Sequence, residues 1–360
     1  MLHSLREPRA STRRTALLGM AGGVLGGCRA NSKAAAQPSI EFSRVPQSDP
    51  GGRDKHDIID GRVKGALPGD RIVLYARNGN WWVQPLADWP FTIIKPDSNW
   101  TSATHLGAEY AALLVKPGFQ PTVMLAALPG RGGLISAVAT VKGASTAPSP
   151  SIQFSGYEWR VRTAPSDRGG KSFKYDARNA WTDADRAMHL RIAKFSGEWM
   201  CAEVSLTRSL GYGKYRFTVR DTSGLQPAAI FGRFTWDYAR PDQNFSEADI
   251  EISRWGDPAA KDAQYVVQPH YVPANVSRFA APSGKLTHSF QWEPGRMSFR
   301  TWRGPDHGGT SGVIAEHVFN SGIPSPAIES VRMNLYIWGY SHVPFRDGAE
   351  VVVERFEYLP

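Results

Sequence analysis

Alternation with a period of two runs through the second half of the chain. In MHLRIAKF (188–195) Met188, Leu190 and Ile192 share one side and His189, Arg191 and Ala193 the other, which is the signature of a strand packed on one face. YEWRVRT, WMCAEVSLT, YRFTVRD, AIFGRFTWDY, ADIEISRW, YVVQPHY, LTHSFQW, MSFRTWR, VRMNLYIW and VVVERFEYL repeat the theme between residues 152 and 360. So many strands with so few helices predict an all-β domain, a large two-sheet sandwich or jelly roll. Residues 39–142 carry shorter apolar runs, RIVLYAR, WWVQPL, FTIIK, YAALLV and TVMLAAL, parted by Gly, Pro and Asp turn signals, and predict a smaller β-sandwich. Adjacent Trp81 and Trp82 must point to opposite faces of a strand. Helical periodicity is weak everywhere; its best stretch, Ala103–Val115, also fits loop and strand. Ala-, Ser- and Pro-rich stretches separate these regions, giving a tether at 28–38 and a linker at 143–151. No repeat of propeller or solenoid length is visible.

Composition narrows the class. A chain of 360 residues, 41% hydrophobic and 11% aromatic, can bury more than one core, so disorder is excluded as the main state. The longest apolar run, Thr15–Gly27, is too short and glycine-rich to span a bilayer, which excludes a multi-pass membrane protein. Two cysteines support no disulfide framework, and no Cys/His cluster has zinc-finger spacing.

The first residues form an export signal: Arg6, Arg9, Arg13 and Arg14 precede the apolar TALLGMAGGVLGG. Arg13-Arg14 resembles a twin-arginine signal. Leu25-Gly26-Gly27-Cys28 resembles a lipobox, which implies a cut after residue 27 and a lipid on Cys28, and hence an exported protein anchored at the periplasmic face or outer membrane. Residues 1–27 hold four Arg and one Glu, so the formal charge of +9 falls to +6 without them. The remaining basic residues are dispersed, and nucleic acid is not an expected partner. Cys201, inside an apolar strand, reads as a small buried hydrophobe.

The chemistry concentrates in SEADIEISRWG (246–256). On a strand Glu247, Asp249 and Glu251 share one face, with Ala248, Ile250 and Ile252 on the other. Like charges at that spacing raise one another's pKa, a cost with little purely structural purpose. Glycoside cleavage needs one ionised carboxylate to attack the anomeric carbon and one protonated carboxyl to donate to the leaving oxygen, roughly 5–5.5 Å apart in retaining enzymes. Backbone positions four apart on a strand are separated by roughly 13 Å, so the outer pair must lean together over Asp249.

The Glu247-Ala248-Asp249-Ile250-Glu251 run resembles the E-x-D-x-E signature of glycoside hydrolase family 16, the laminarinase, lichenase, agarase and carrageenase group. The resemblance implies a concanavalin-A-like β-jelly roll over residues 152–360, a concave sheet as substrate cleft and retaining endo-hydrolysis of a polysaccharide. Carried over by position, Glu247 is the nucleophile, Asp249 the assisting carboxyl and Glu251 the general acid/base. YGKYRFTVR (212–220), FTWDY (234–238) and MNLYIWG (333–339) are similar to flanking family segments, which makes Phe234, Trp236, Asn334 and Tyr336 sugar contacts; Trp255, His270, Tyr271 and Trp338 extend that set. Ala248, Phe245 and Thr218 depart from the usual pattern and leave subsite identity open.

Other chemistries are poorly served. The nine histidines include no HExxH, Ser311 lacks the flanking pattern of a nucleophile elbow, and GYGK lacks phosphate-loop spacing. Asp183 and Asp185 fit a turn better than a structural calcium site, and no metal or cofactor is expected. The expected protein is a monomeric, lipid-anchored hydrolase whose only membrane contact is its anchor. A non-catalytic glycan-binding protein of the same fold and a transglycosylase are the alternatives.

Overall fold

The structure, a computed structural model, describes residues 37–49, 51, 55–145, 150–163, 174–305, 312–339, 341 and 343–360. Residues 1–27, where an export signal is expected, Cys28 and Ser311 lie outside the described residues.

The first strands build a two-layer module. Ser39–Arg44, His56–Lys64 and Asn99–His105 form a three-stranded sheet. Arg71–Asn78 lies at the centre of the second sheet, between Asn80–Gln84 and Glu109–Val115, with Ile135–Lys142 beyond the latter. The apolar runs RIVLYAR and YAALLV are near-continuous because this second sheet is buried on both faces. Ile72, Leu74, Tyr110, Ala112 and Leu114 meet Ile59, Val63 and Trp100 of the first sheet. Val73, Tyr75, Ala111 and Leu113 pack with Trp81, Val83 and Ile135 on the other side. The tryptophan pair splits as its alternation demands, Trp81 buried and Trp82 exposed. Ala103–Val115 is strand, turn and strand rather than helix. TVMLAAL yields only the two-residue strand Met124–Leu125, whose neighbour Val123 faces solvent.

The larger part is a two-sheet sandwich of antiparallel strands. One sheet has eight strands in the spatial order Ser151–Phe154, Tyr157–Val161, Ala202–Leu206, Ser330–Ile337, Ala229–Trp236, Ala248–Ile252, Ala263–Val267 and Val276–Phe279. The facing sheet runs Ala180–Thr182, Met188–Phe195, Ala349–Leu359, Gly213–Val219, Leu286–Glu293, Arg296–Arg303 and Val313–Phe319, with Glu198–Met200 paired to Met188–Phe195. The core between them holds Trp159, Trp292, Phe217, Phe231, Phe290, Phe299 and the inward set Ala248, Ile250 and Ile252. WMCAEVSLT is two strands, interrupted at buried Cys201, whose thiol is pushed up to about 11 by burial. Asp183 closes a turn, accepting from the Ala187 N–H at 2.8 Å and pairing with His189 at 2.9 Å.

The sandwich and the first module share a buried seam, and residues 38–360 form one compact unit. Phe234, Trp236, Tyr238, Ala239 and Ile328 from the sandwich cluster with Ala103, Ile58 and Leu86 from the module. Beside this apolar patch, Arg160 bonds Asp57 at 2.8 Å, and the Arg240 guanidinium lies 4.9 Å from the Trp89 ring centre.

The expectation that Phe234 and Trp236 offer faces to a sugar meets a different placement: they are 4% and 7% exposed and serve as packing across the seam. Burial of that degree has a measurable consequence. Trp236→Ala should cost about 3–5 kcal/mol of unfolding free energy, as deletion of a buried aromatic does, in a denaturant titration. A loss within about 0.5 kcal/mol, the range of surface substitutions, would contradict the packing.

Candidate active site

The strand Ala248–Ile252 presents its carboxyls to the outer face of the eight-stranded sheet. Its alternate residues Ala248, Ile250 and Ile252 are anchored in the sandwich core, which leaves Glu247, Asp249 and Glu251 pointing away from it. Glu247 stands one residue before the regular strand, where its carbonyl still accepts the Gln268 N–H at 3.2 Å.

The entry to this strand is strained. Asn244, Phe245 and Ser246 have φ of 50°, 58° and 50°, three consecutive non-glycine residues in the left-handed region, each costing roughly 1–2 kcal/mol. Neighbouring groups hold them there. Thr235 donates its hydroxyl to the Ser246 carbonyl at 2.6 Å and accepts the Ala248 N–H at 3.1 Å. The Phe245 ring stacks on Trp236 with centroids 4.4 Å apart, and the Asp237 N–H donates to the Phe245 carbonyl at 2.7 Å. The tight left-handed turn therefore delivers Glu247 to the same face as Asp249.

Asp249 and Glu247 share a side-chain hydrogen bond. Burial first, and then the charges of Glu247 and Glu251, hold the Asp249 carboxyl well above its ordinary range, so Asp249 carries a proton and donates to Glu247. Burial also raises Glu251, opposed by the hydrogen bond from Gln264 and by the charges of His270, Arg233 and Arg278. Glu251 retains some exposure and is reachable by a ligand, whereas Asp249 is buried.

Two glutamines on the adjacent strand and its end address these carboxyls, and each is oriented from its far side. Gln264 donates Nε2–H to Glu251 at 2.5 Å while its Oε1 accepts from Arg278 Nε at 3.1 Å. Gln268 donates to Asp249 at 3.0 Å while its Oε1 accepts the His270 N–H at 2.8 Å. Arg278 in turn lies 4.5 Å from the Trp255 ring centre, so one face of that indole is covered by the guanidinium. Behind the strand, Arg233 is fully buried and donates from Nε and Nη2 to the Ile250 carbonyl at 3.3 and 3.1 Å. Its pKa is pushed down to about 9 by burial, yet it remains a cation at neutral pH beneath the carboxyls.

On the other side of the carboxyl strand, Glu251 is in register with Gly232, which is in register with Asn334. A Cβ on Gly232 would meet Asn334 Oδ1 at 2.6 Å, and the Gly232 N–H donates to that same oxygen at 3.2 Å. The bare glycine is what lets the Asn334 amide lie across the sheet beside Glu251. Tyr336, Trp338 and Trp255 are half-buried, and His270 and Tyr271 are exposed, Tyr271 at 76%.

The sequence pattern thus found the three carboxyls; the structure groups with them Asn334, Trp255 and His270, and removes Phe234 and Trp236 to the seam. Gln264, Gln268, Arg278, Gly232 and Arg233 were not anticipated. The two glutamines left a signal, polar residues four apart on one face of AQYVVQ, which gains meaning only once the register with Ala248–Ile252 is known.

No protein-family model matches this chain, and no curated protein sequence matches it. Among solved structures it is similar to a β-glucanase of Bacillus licheniformis, at 18% identity over 56% of this chain and 92% of that one, with a TM-score of 0.42. A glycosyl hydrolase family protein of Mycobacterium fortuitum matches at 16% identity over 59% of this chain and 96% of that one, TM-score 0.44. A pseudo β-1,3-glucanase of Mycobacterium tuberculosis matches at 13% identity over 56% and 91%, TM-score 0.44.

The raised pKa of Asp249 makes folding pH-dependent with a defined sign. A carboxyl whose pKa is raised in the fold stabilises it fully below the unfolded-state pKa, 3.8 for Asp249, and loses that contribution as pH rises through the folded value. Stability should therefore fall above about pH 4 in part through Asp249. In Asp249→Asn, whose amide stays neutral and still donates to Glu247, urea titrations across pH should show a shallower fall. An unchanged slope would contradict a protonated Asp249.

Proposed function

We propose that this protein hydrolyses β-glycosidic bonds within a polysaccharide, with retention of configuration, through Glu247 and Glu251. The observation that carries the proposal is the proton arrangement along one strand. Asp249 donates its proton to Glu247, which leaves Glu247 a hydrogen-bonded, charge-bearing nucleophile, while burial raises the Glu251 carboxyl, the direction that a proton donor needs.

The chemistry follows in two steps. Glu247 attacks the anomeric carbon and forms a glycosyl ester as the bond to the leaving oxygen breaks; Glu251 gives its proton to that oxygen. Glu251, now ionised, takes a proton from water, the water oxygen bonds to the anomeric carbon, and the ester breaks to restore Glu247. Asp249 strengthens its donation to Glu247 as negative charge returns to that carboxylate in the second step. Gln264, held by Arg278, favours the ionised state of Glu251 and so sets the pH at which its proton is lost. Half-buried Tyr336, Trp338 and Trp255 supply apolar surface for pyranose rings.

On this reading the protein works outside the cytoplasm, tethered to the cell envelope by a lipid on Cys28, and acts as a monomer with no cofactor. The export segment and the lipobox-like Leu25–Cys28 support the location.

Reducing-sugar release from a panel of β-glucans, agarose and carrageenan tests the reaction. Glu247→Gln and Glu251→Gln should each lower release by roughly 10³-fold or more, as loss of a nucleophile or its proton donor does. Release that survives Glu247→Gln would exclude the mechanism; glycan binding by both forms with no release from either would make the protein a lectin. A pH series gives a second check. Gln264→Met removes a donor to ionised Glu251, raises its pKa and should move the alkaline limb of activity to higher pH. A limb that moves down or stays would remove Gln264 from this role.

A further inference from the structure

A second site lies on the same sheet face as the carboxyls. From Glu251 the transverse row runs through Gly232 and Asn334 to Glu203, whose carbonyl accepts the Arg162 N–H at 2.9 Å. Its far end is a cavity of about 130 Å3 between the sandwich and the first module. Four arginines line it, Arg44, Arg160, Arg162 and Arg332, against two carboxylates, Asp57 and Glu203.

Each carboxylate is shared. Asp57 Oδ1 receives Arg44 at 3.1 Å and Arg160 at 2.8 Å, and Glu203 Oε1 receives Arg162 at 3.2 Å and Arg332 at 3.1 Å. The lining therefore carries two more positive than negative charges in a place withdrawn from bulk water, an arrangement that a bound anion relieves. His56 adds an independent pointer. It lines the cavity at 8% exposure, and its Nε2 has no hydrogen-bond partner. Burial, with Arg160 and His105 nearby, pushes its pKa down to about 4, so the ring is neutral at pH 7 and adds no charge of its own. A buried ring nitrogen without a partner is a standing cost that a ligand atom at hydrogen-bond distance removes.

We propose that this cavity is a subsite for an anionic substituent of the polysaccharide, a carboxylate or sulfate on a sugar ring held by Arg160 and Arg332 and bonded by His56. The volume suits such a substituent better than a whole ring. Arg332 lies two strands and Arg160 four strands from the carboxyl strand, roughly 10 and 19 Å at the usual strand spacing. A sugar chain crossing the sheet from Glu251 reaches the cavity within a few units. The proposal rests on the glycan-cleaving reading for the identity of its ligand, and it narrows the substrate to a charged polysaccharide.

Calorimetric binding to the full-length chain tests it with methyl β-D-glucuronide, glucose 6-sulfate, methyl β-D-glucoside and inorganic sulfate as probes. Both anionic sugars should bind at least about tenfold more tightly than the glucoside. Arg160→Met and His56→Phe should each weaken the anionic sugars by about tenfold and leave the glucoside unchanged. His56→Phe keeps a planar aromatic ring and breaks no bond of Nε2, and a urea midpoint within the range of surface substitutions checks that its fold is retained where Arg160→Met unsettles Asp57. Equal binding of charged and neutral sugars, no binding of the charged ones, or indifference to both variants would overturn the subsite. Inorganic sulfate binding as tightly as glucose 6-sulfate would mean an adventitious ion only, and would overturn it too. Hydrolysis of neutral glucans without anionic preference removes this subsite and leaves the catalytic reading intact; anionic-sugar binding without any hydrolysis does the reverse.

Discussion

Three carboxyl groups on one face of a single strand oppose one another's ionisation, and the organisation around them answers that constraint. Alternation puts Glu247, Asp249 and Glu251 side by side because Ala248, Ile250 and Ile252 are committed to the core. Burial and the charges of its two neighbours then hold Asp249 well above its ordinary range, and burial raises Glu251. What remains is supplied by neighbours: Gln268 and Gln264 donate to the two carboxyls, each fixed by a second donor on its own oxygen, and Arg233 places a buried cation beneath the strand. The strained turn at Asn244–Ser246 belongs to the same solution, since it brings Glu247 within hydrogen-bonding reach of Asp249. Strain of this kind persists only where surrounding contacts over-determine it, here Thr235 and the Phe245–Trp236 stack.

The first module takes part in shaping the face. Ile58, Leu86 and Ala103 cover Phe234, Trp236 and Tyr238, so the aromatic floor on that side is closed off and becomes a wall. The same approach brings Asp57 and His56 over Arg160 and Arg332 and encloses the cationic cavity. Packing at the seam and the chemistry of the face are thus coupled through one strand, Ala229–Trp236. Its Gly232 leaves room for Asn334 beside Glu251, its Arg233 anchors the carboxyl strand from behind, and its Trp236 joins the seam.

Local pattern made much of this legible. MHLRIAKF is a strand over its full length, and the carboxyl strand announced itself because a period of two left three acids on one side and three aliphatics on the other. Long-range placement was not legible. Alternation says which face of Ala229–Trp236 Phe234 and Trp236 occupy, but what covers that face comes from residues more than a hundred positions earlier in the chain. Gln264 and Arg278 look like ordinary polar positions until the hairpin register sets one against Glu251 and the other behind it. TVMLAAL is apolar with only Met124–Leu125 in a strand because its residues cap the outer core of the first module, Leu125 and Leu128 packing there while Val123 and Met124 stay exposed.

The central claim is that Glu247 bonds to the sugar before water does. Proton NMR of the new reducing end, recorded in the first minutes of hydrolysis of a β-linked polysaccharide that the protein cleaves, tests it most directly. Two inversions at the anomeric carbon give the β-anomer first, with the α-anomer growing in later by mutarotation. An α-anomer appearing first would mean a single displacement by water, and Glu247 would not be the nucleophile.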